Sequence, residues 1–188
     1  MPFTPLSRPD PRLADLIAQG LARFGVYPTG ADARWLLVDV AGQRLILVER
    51  DRPLGAWPVS TARAGVDARQ DSGGTPPGAH RIARRIGLDA APGTVFVSRE
   101  PTGETWCPGD QPRDDDLILT RVLTLDGCEP GVNSGPGVDS LARYIYLHGT
   151  NHEDRLGEPV SHGCIRLGNA DVVDVCDRVR EGDPVVIV

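Results

Sequence analysis

The apolar residues of this chain come in short runs, and glycine or proline cuts off nearly every one. Residues 35–40 (WLLVDV), 44–50 (RLILVER), 117–125, 143–147 and 184–188 are each too short for a buried helix and are rich in Val, Ile and Leu. The first two, joined around Ala41-Gly42, read as a hairpin. Residues 56–60, 82–86 and 94–98 supply further strands. With 22 glycines and 17 prolines in 188 residues, turns must be frequent, and no repeat of fixed period organises them. Residues 61–80, ending in Thr75-Pro76-Pro77-Gly78, read as a surface loop closed by a rigid turn. Two segments carry helical spacing instead. Leu13, Leu16, Ile17, Leu21 and Phe24 recur at steps of three and four, with Asp10 as N-cap and Gly25 as stop; Asn169 caps a second helix running to about residue 180. The expected class is α+β and mainly β: a mixed-strand sandwich or open barrel, with a helix after Cys164.

Charge narrows the partners. Twenty Lys and Arg against 26 Asp and Glu give a net charge of −6 and a pI near 5.2, and the basic residues are interleaved with acids. That excludes the clustered cations nucleic acid needs. No stretch approaches a membrane span, and the first twenty residues lack a basic patch followed by an apolar run, so the expected location is the cytoplasm. A mature exported form carrying a new Met1 reads the same way, which keeps the periplasm as the alternative. Oligomeric state leaves no trace in the sequence. The four cysteines, at 107, 128, 164 and 176, lack CxxC spacing and read as reduced thiols. Cys176, among Val172, Val173 and Val179, belongs to a core, while Cys107 and Cys128 lie in Pro/Gly-rich turns.

The chemistry concentrates in residues 148–167, HGTNHEDRLGEPVSHGCIRL, between an expected strand and an expected helix. Gly163 directly before Cys164 lets the backbone approach a substrate and turn N–H groups toward one point, as an oxyanion hole requires. Cys164 lies just before the helix starting near Asn169 and close to Arg166, two positive influences that favour thiolate. His148 ends a strand and is followed by Gly149, so its imidazole can be fixed by neighbouring backbone while reaching the thiol as a base. Arg166 suits a substrate carboxylate, which its guanidinium grips bidentately.

His148-Gly149, twelve intervening residues, then Ser161-His162-Gly163-Cys164-Ile165-Arg166 resembles the active-site signature of the L,D-transpeptidase (YkuD-type) catalytic domain. Looser likeness upstream, in residues 35–49, 58–61, 75–78 and 143–146, extends it over 33–188 and leaves 1–32 as a helical extension. The resemblance implies that Cys164 attacks the carbonyl of the third, L-configured centre of a peptidoglycan stem tetrapeptide or muropeptide. Terminal D-alanine leaves and a thioester remains. His148 then takes the thiol proton, oriented by the Gly149 carbonyl; the amides of Gly163 and Cys164 hold the oxyanion; and Ser161 and His162 shape the substrate pocket. No cofactor and no metal are implied.

Water is the expected acceptor of the acyl group, and three other readings stand beside it. An amine acceptor gives a 3→3 cross-link or D-amino-acid exchange, whereas water gives an L,D-carboxypeptidase of muropeptide recycling, the reading that fits a cytoplasmic enzyme. A wall-binding module without catalysis would have no need of both thiol and imidazole. His148, His152, His162 and Cys164 offer zinc donors, but Gly149 and Asn151 argue against a helix presenting His148 and His152 together. His152 reads as an exposed loop histidine and His80 as structural or exposed. Tyr144 and Tyr146, alternating along one strand, read as core.

Overall fold

The computed structural model describes residues 4–6, 11–23, 33–110 and 115–188. Strand β1 (Thr4–Pro5) and helix α1 (Pro11–Arg23) precede β2 (Arg34–Asp39), β3 (Arg44–Glu49) and β4 (Arg52–Pro58). The β2–β3 hairpin runs in register from Arg34↔Glu49 to Asp39↔Arg44. A Cβ on Gly42 would lie 2.3 Å from Asp39 Oδ2, so glycine leaves the turn open for that carboxylate, which accepts the Gly42 N–H at 2.8 Å. Both strands are covered on both faces. Leu36, Val38, Leu45 and Leu47 enter the main core, while Trp35, Leu37, Ile46 and Val48 meet Leu13, Ile17 and Leu21 of α1 in a second one. Burial on two sides is why these runs are continuously apolar rather than alternating. Each α1 side chain so buried contributes roughly 1.5–3 kcal/mol. Gly20 makes the contact possible, since a Cβ there would stand 2.7 Å from the Trp35 ring. Asp10, Phe24 and Gly25, expected as cap, last apolar contact and stop of this helix, lie outside the described residues.

The chain continues through β5 (Gly78–Ile86), β6 (Thr94–Val97), β7 (Glu100–Thr105), β8 (Ile118–Gly127), β9 (Tyr146–Gly149), β10 (Ile165–Leu167), α2 (Asn169–Arg178) and β11 (Pro184–Ile187). Among the described residues the strands form one mixed sheet, in the order β1-β4-β3-β2-β11-β5-β8-β6-β7, with β9 joining β8 to β10. The α+β, mainly β expectation holds, in the form of an open mixed sheet. Packing of α2 against β8 and β9 closes the main core: Val172, Val175, Cys176 and Val179 meet Leu123, Leu147, Ile165 and Leu167.

Several boundaries differ from the expectation. β5 begins at Gly78, so the end of the supposed loop is strand, pinned where Ala79 and His80 pair with Val186 and Val185. Residues 141–144 form a turn, and β9 starts only at Tyr146. Tyr144 is therefore half exposed instead of core, whereas Tyr146 is buried. α2 is capped by Gly168, without a side-chain cap, and ends at Arg178. β7 is exposed throughout and carried no apolar signal.

Candidate active site

β9 and β10 pair in parallel, with Ile165 beside Leu147 and Arg166 beside His148. Paired residues on neighbouring strands point the same way, and successive residues alternate. Leu147, Ile165 and Leu167 accordingly enter the main core under α2, which leaves Tyr146, His148 and Arg166 on the opposite face. Cys164, one residue before β10, packs with Tyr146 on that face. Pleat and register thus set the thiol diagonally across from the His148 imidazole.

His148 is buried, and its Nδ1 donates to the Gly149 carbonyl at 2.7 Å, a tautomer that leaves Nε2 as a base. Burial pushes its pKa below the ordinary histidine value, against the raising pull of the Gly149 carbonyl and Asp116. Gly149 is required by crowding: a Cβ would lie 2.5 Å from Asn169 Oδ1 and 2.7 Å from the Leu119 carbonyl. Asn169, expected as a helix cap, instead spends its side chain on this corner. Its Nδ2 donates to the Thr150 carbonyl at 2.9 Å, and its Oδ1 accepts the Thr120 hydroxyl at 2.6 Å. Thr120 sits at a register shift in β8 opposite His148, with φ of 70°, a left-handed conformation costly for a β-branched residue. Strain of this kind persists only where its surroundings hold it.

Cys164 is half-buried, and its thiol donates to the Tyr144 carbonyl at 3.3 Å. Tyr144 reaches that position through a left-handed φ of 59°. Burial pushes the thiol up to about 12; the Tyr146 amide, Arg166 and Arg143 pull it down, and Asp116 adds to the rise. The two influences expected to favour thiolate are thus opposed: strand β10 separates Cys164 from the N-terminus of α2, and desolvation acts against the nearby cations. Gly163 has φ of 133°, open to glycine and strained for other residues. Its amide, expected in the oxyanion hole, points at Ser161 Oγ (3.3 Å), and the Cys164 amide beside it has no partner among the described residues. Ser161 is buried, donates to the Cys164 carbonyl at 2.6 Å and holds the loop instead of lining the pocket.

Residues not read as part of the site complete the frame. Thr75 Oγ1 donates to the Gly163 carbonyl and accepts the Ala62 amide, both at 3.0 Å, which ties the Pro-rich turn to the thiol loop. Arg143 braces the same turn through the Gly74 carbonyl at 2.9 Å. Asp116 stands between Arg166 and His162. Arg166, read as a grip for substrate, is 3% exposed and already paired with this internal carboxylate. His162 is 85% exposed and lies 3.6 Å from Asp116. A shallow pocket of about 240 Å³ opens here, lined by Arg63, Asp116, His152, Arg155, Val160, His162 and Arg166. His152 is partly exposed and precedes a 3₁₀ turn (Glu153–Arg155), so it shares no helix with His148. His80 is buried and structural. Cys107 and Cys128 are exposed free thiols, and Cys176 is core, as expected.

A thiol and a carbonyl-anchored imidazole on adjoining parallel strands of an open mixed sheet define a β-rich cysteine–histidine class. Within that class, the family model for the L,D-transpeptidase catalytic domain matches residues 33–187, and this chain belongs to that family. The Bacillus subtilis protein bearing the name L,D-transpeptidase YkuD is 41% identical over 93 residues, 49% of this chain and 47% of its own length. Its Bacillus licheniformis namesake is 41% identical over 77 residues, 40% of this chain and 44% of its own. The chain thus spans about half the length of the curated relatives it matches. A crystal structure of L,D-transpeptidase 3 from Mycobacterium tuberculosis shares the fold at 16% identity and a TM-score of 0.51, over 82% of this chain and 60% of its own. L,D-transpeptidase LdtMt1, solved in complex with imipenem, does so at 19% and 0.51, over 84% and 59%.

Proposed function

We propose that this protein transfers the acyl group of a peptidoglycan stem tetrapeptide through a thioester on Cys164. The supporting observation is the β9–β10 register, which sets the thiol across from an imidazole whose Nδ1 is held by a carbonyl. At rest both groups are neutral, since burial raises the thiol and lowers the imidazole. The proton moves only once substrate is in place. His148 takes it from Sγ, and the thiolate attacks the carbonyl of the L,D peptide bond while the Cys164 amide receives the developing oxyanion. Collapse forms the C–S bond, breaks C–N and passes the proton from His148 to the departing D-alanine amine. In the second step water adds to the thioester, His148 takes its proton and returns it to sulfur, and a tripeptide acid leaves.

Water is the acceptor in this proposal, an L,D-carboxypeptidase acting on muropeptides. It is supported by the open flank of the thiol, where Tyr144 and His162 are both exposed. An amine acceptor is the rival that the relatives' names favour. Incubation of the purified protein with disaccharide tetrapeptide, alone and with added D-amino acid or free tetrapeptide, separates the two. Mass analysis should find an acyl adduct on Cys164, then tripeptide and D-alanine, with little exchange or dimer. Dominant dimers at modest acceptor concentration would rename the reaction transpeptidation, and absence of any adduct would remove the thioester.

A further inference from the structure

We propose that the pocket beside Cys164 is a carboxylate subsite for the acyl donor, with Arg63 as its open cation and the Asp116–Arg166 pair as its floor. The inference rests on the stem-peptide reading above and names the donor group that the site selects. Arg63 is held against the thiol loop by main chain: its amide donates to the Ser161 carbonyl at 3.0 Å, and Ser161 donates to the Thr61 carbonyl at 2.9 Å. Ser60 and Arg166 exchange both backbone hydrogen bonds one step further on, at 3.0 and 2.9 Å. The segment carrying Arg63 is therefore a fixed wall of the site.

Three guanidinium groups reach the pocket, from Arg63, Arg155 and Arg166, with His162 beside them and Asp116 as the one lining carboxylate. Asp116 neutralises Arg166, and Arg155 pairs with the exposed Glu158 at 2.8 Å. Arg63 has no carboxylate partner among the described residues, so the pocket carries an unmatched positive charge. Its floor holds one buried donor and one buried acceptor without a partner, Arg166 Nε and Asp116 Oδ1, so the floor is balanced and the surplus charge is that of Arg63. A carboxylate, which carries a full negative charge and only accepts, answers the open charge of Arg63; a neutral amide does not. A stem tetrapeptide offers carboxylates at its D-glutamyl residue, at a diacid in the third position and at its terminal D-alanine, and the chemistry of recognition is the same for each.

Calorimetry on the Cys164→Ala protein, which binds without reacting, distinguishes these sources. Four peptides are compared, the free-acid tetrapeptide and three forms each amidated at one carboxylate. One amide should bind about tenfold more weakly than the free acid, and the Arg63→Gln/Arg155→Gln pair should weaken the free acid by a similar factor and erase that distinction. Arg63→Lys, which keeps the charge, should recover part of the loss. Four equal affinities overturn the proposal, as does a double variant that binds the free acid like its parent. Should the double variant fold poorly by circular dichroism, the four-peptide comparison on the parent decides alone. Wild-type protein that is acylated at Cys164 equally well by every amidated donor removes the subsite and leaves the thioester reading standing; no acylation by any donor removes the latter.

Discussion

His80 and His148 stand in β5 and β9, the strands on either side of β8, and begin alike. Both are 1% exposed, and in both Nδ1 meets a main-chain carbonyl, Gly78 at 3.0 Å and Gly149 at 2.7 Å. They part at the other nitrogen. His80 Nε2 is closed by Ser140 Oγ at 2.9 Å, whereas His148 Nε2 has no partner among the described residues and shares a sheet face with Cys164. Burial and a carbonyl anchor are thus common to a packed histidine and to the proposed base. What sets the base apart is a ring nitrogen left open toward a nucleophile.

The sharpest test of that contrast removes the nucleophile. Cys164→Ala should abolish the acyl adduct and lower turnover by at least ~1000-fold, with the fold unchanged, as read by intact-protein mass and circular dichroism. An imipenem adduct should form on wild type and vanish in the same variant, while an adduct on Cys107 or Cys128 would place the reactive thiol elsewhere. Next comes the pair of histidines. His148→Ala should cost roughly 100- to 10,000-fold in the acylation rate, whereas His80→Ala should lower Tm and stay within about tenfold per folded molecule. Equal kinetic losses would break the comparison.

Titration sharpens it further. With the thiol up at about 12, alkylation of Cys164 by iodoacetamide should rise about tenfold per pH unit from 7 to 10, with no plateau at an ordinary thiol value. A plateau near 8 would mean a resting ion pair. His80 is lowered to about 4, chiefly by burial, so between that value and 6.5 the unfolded chain binds more protons than the folded one. Stability therefore falls as pH drops through this window, by about 3 kcal/mol in all. Denaturant midpoints of wild type and His80→Gln should converge toward pH 4, and parallel curves would deny His80 the acid limb. The smallest effect expected is that of Thr75→Val, which strands the Gly163 carbonyl and the Ala62 amide. A loss of about 1–3 kcal/mol in stability with slower acylation fits its bracing role, and an unchanged Tm would not.

What the sequence by itself determined is whatever neighbours in the chain encode. The β2–β3 hairpin, the helical spacing of Leu13, Ile17 and Leu21, the last strand and the His148 to Cys164 segment were all legible, because period and turn chemistry act over a few residues. Tertiary structure decided the rest. Asp116 lies in a run of three aspartates that looks like any solvated face, and it matters only because the fold carries it 50 positions along the chain to Arg166. Thr75 meets the Gly163 carbonyl across 88 residues, and Ser161 draws the Gly163 amide away from the expected oxyanion hole. The upward push on the thiol's pKa likewise comes first from desolvation, which depends on everything packed around Cys164 and on no single neighbour. Pairings of this range leave no periodic trace, since either partner alone reads as an ordinary polar residue.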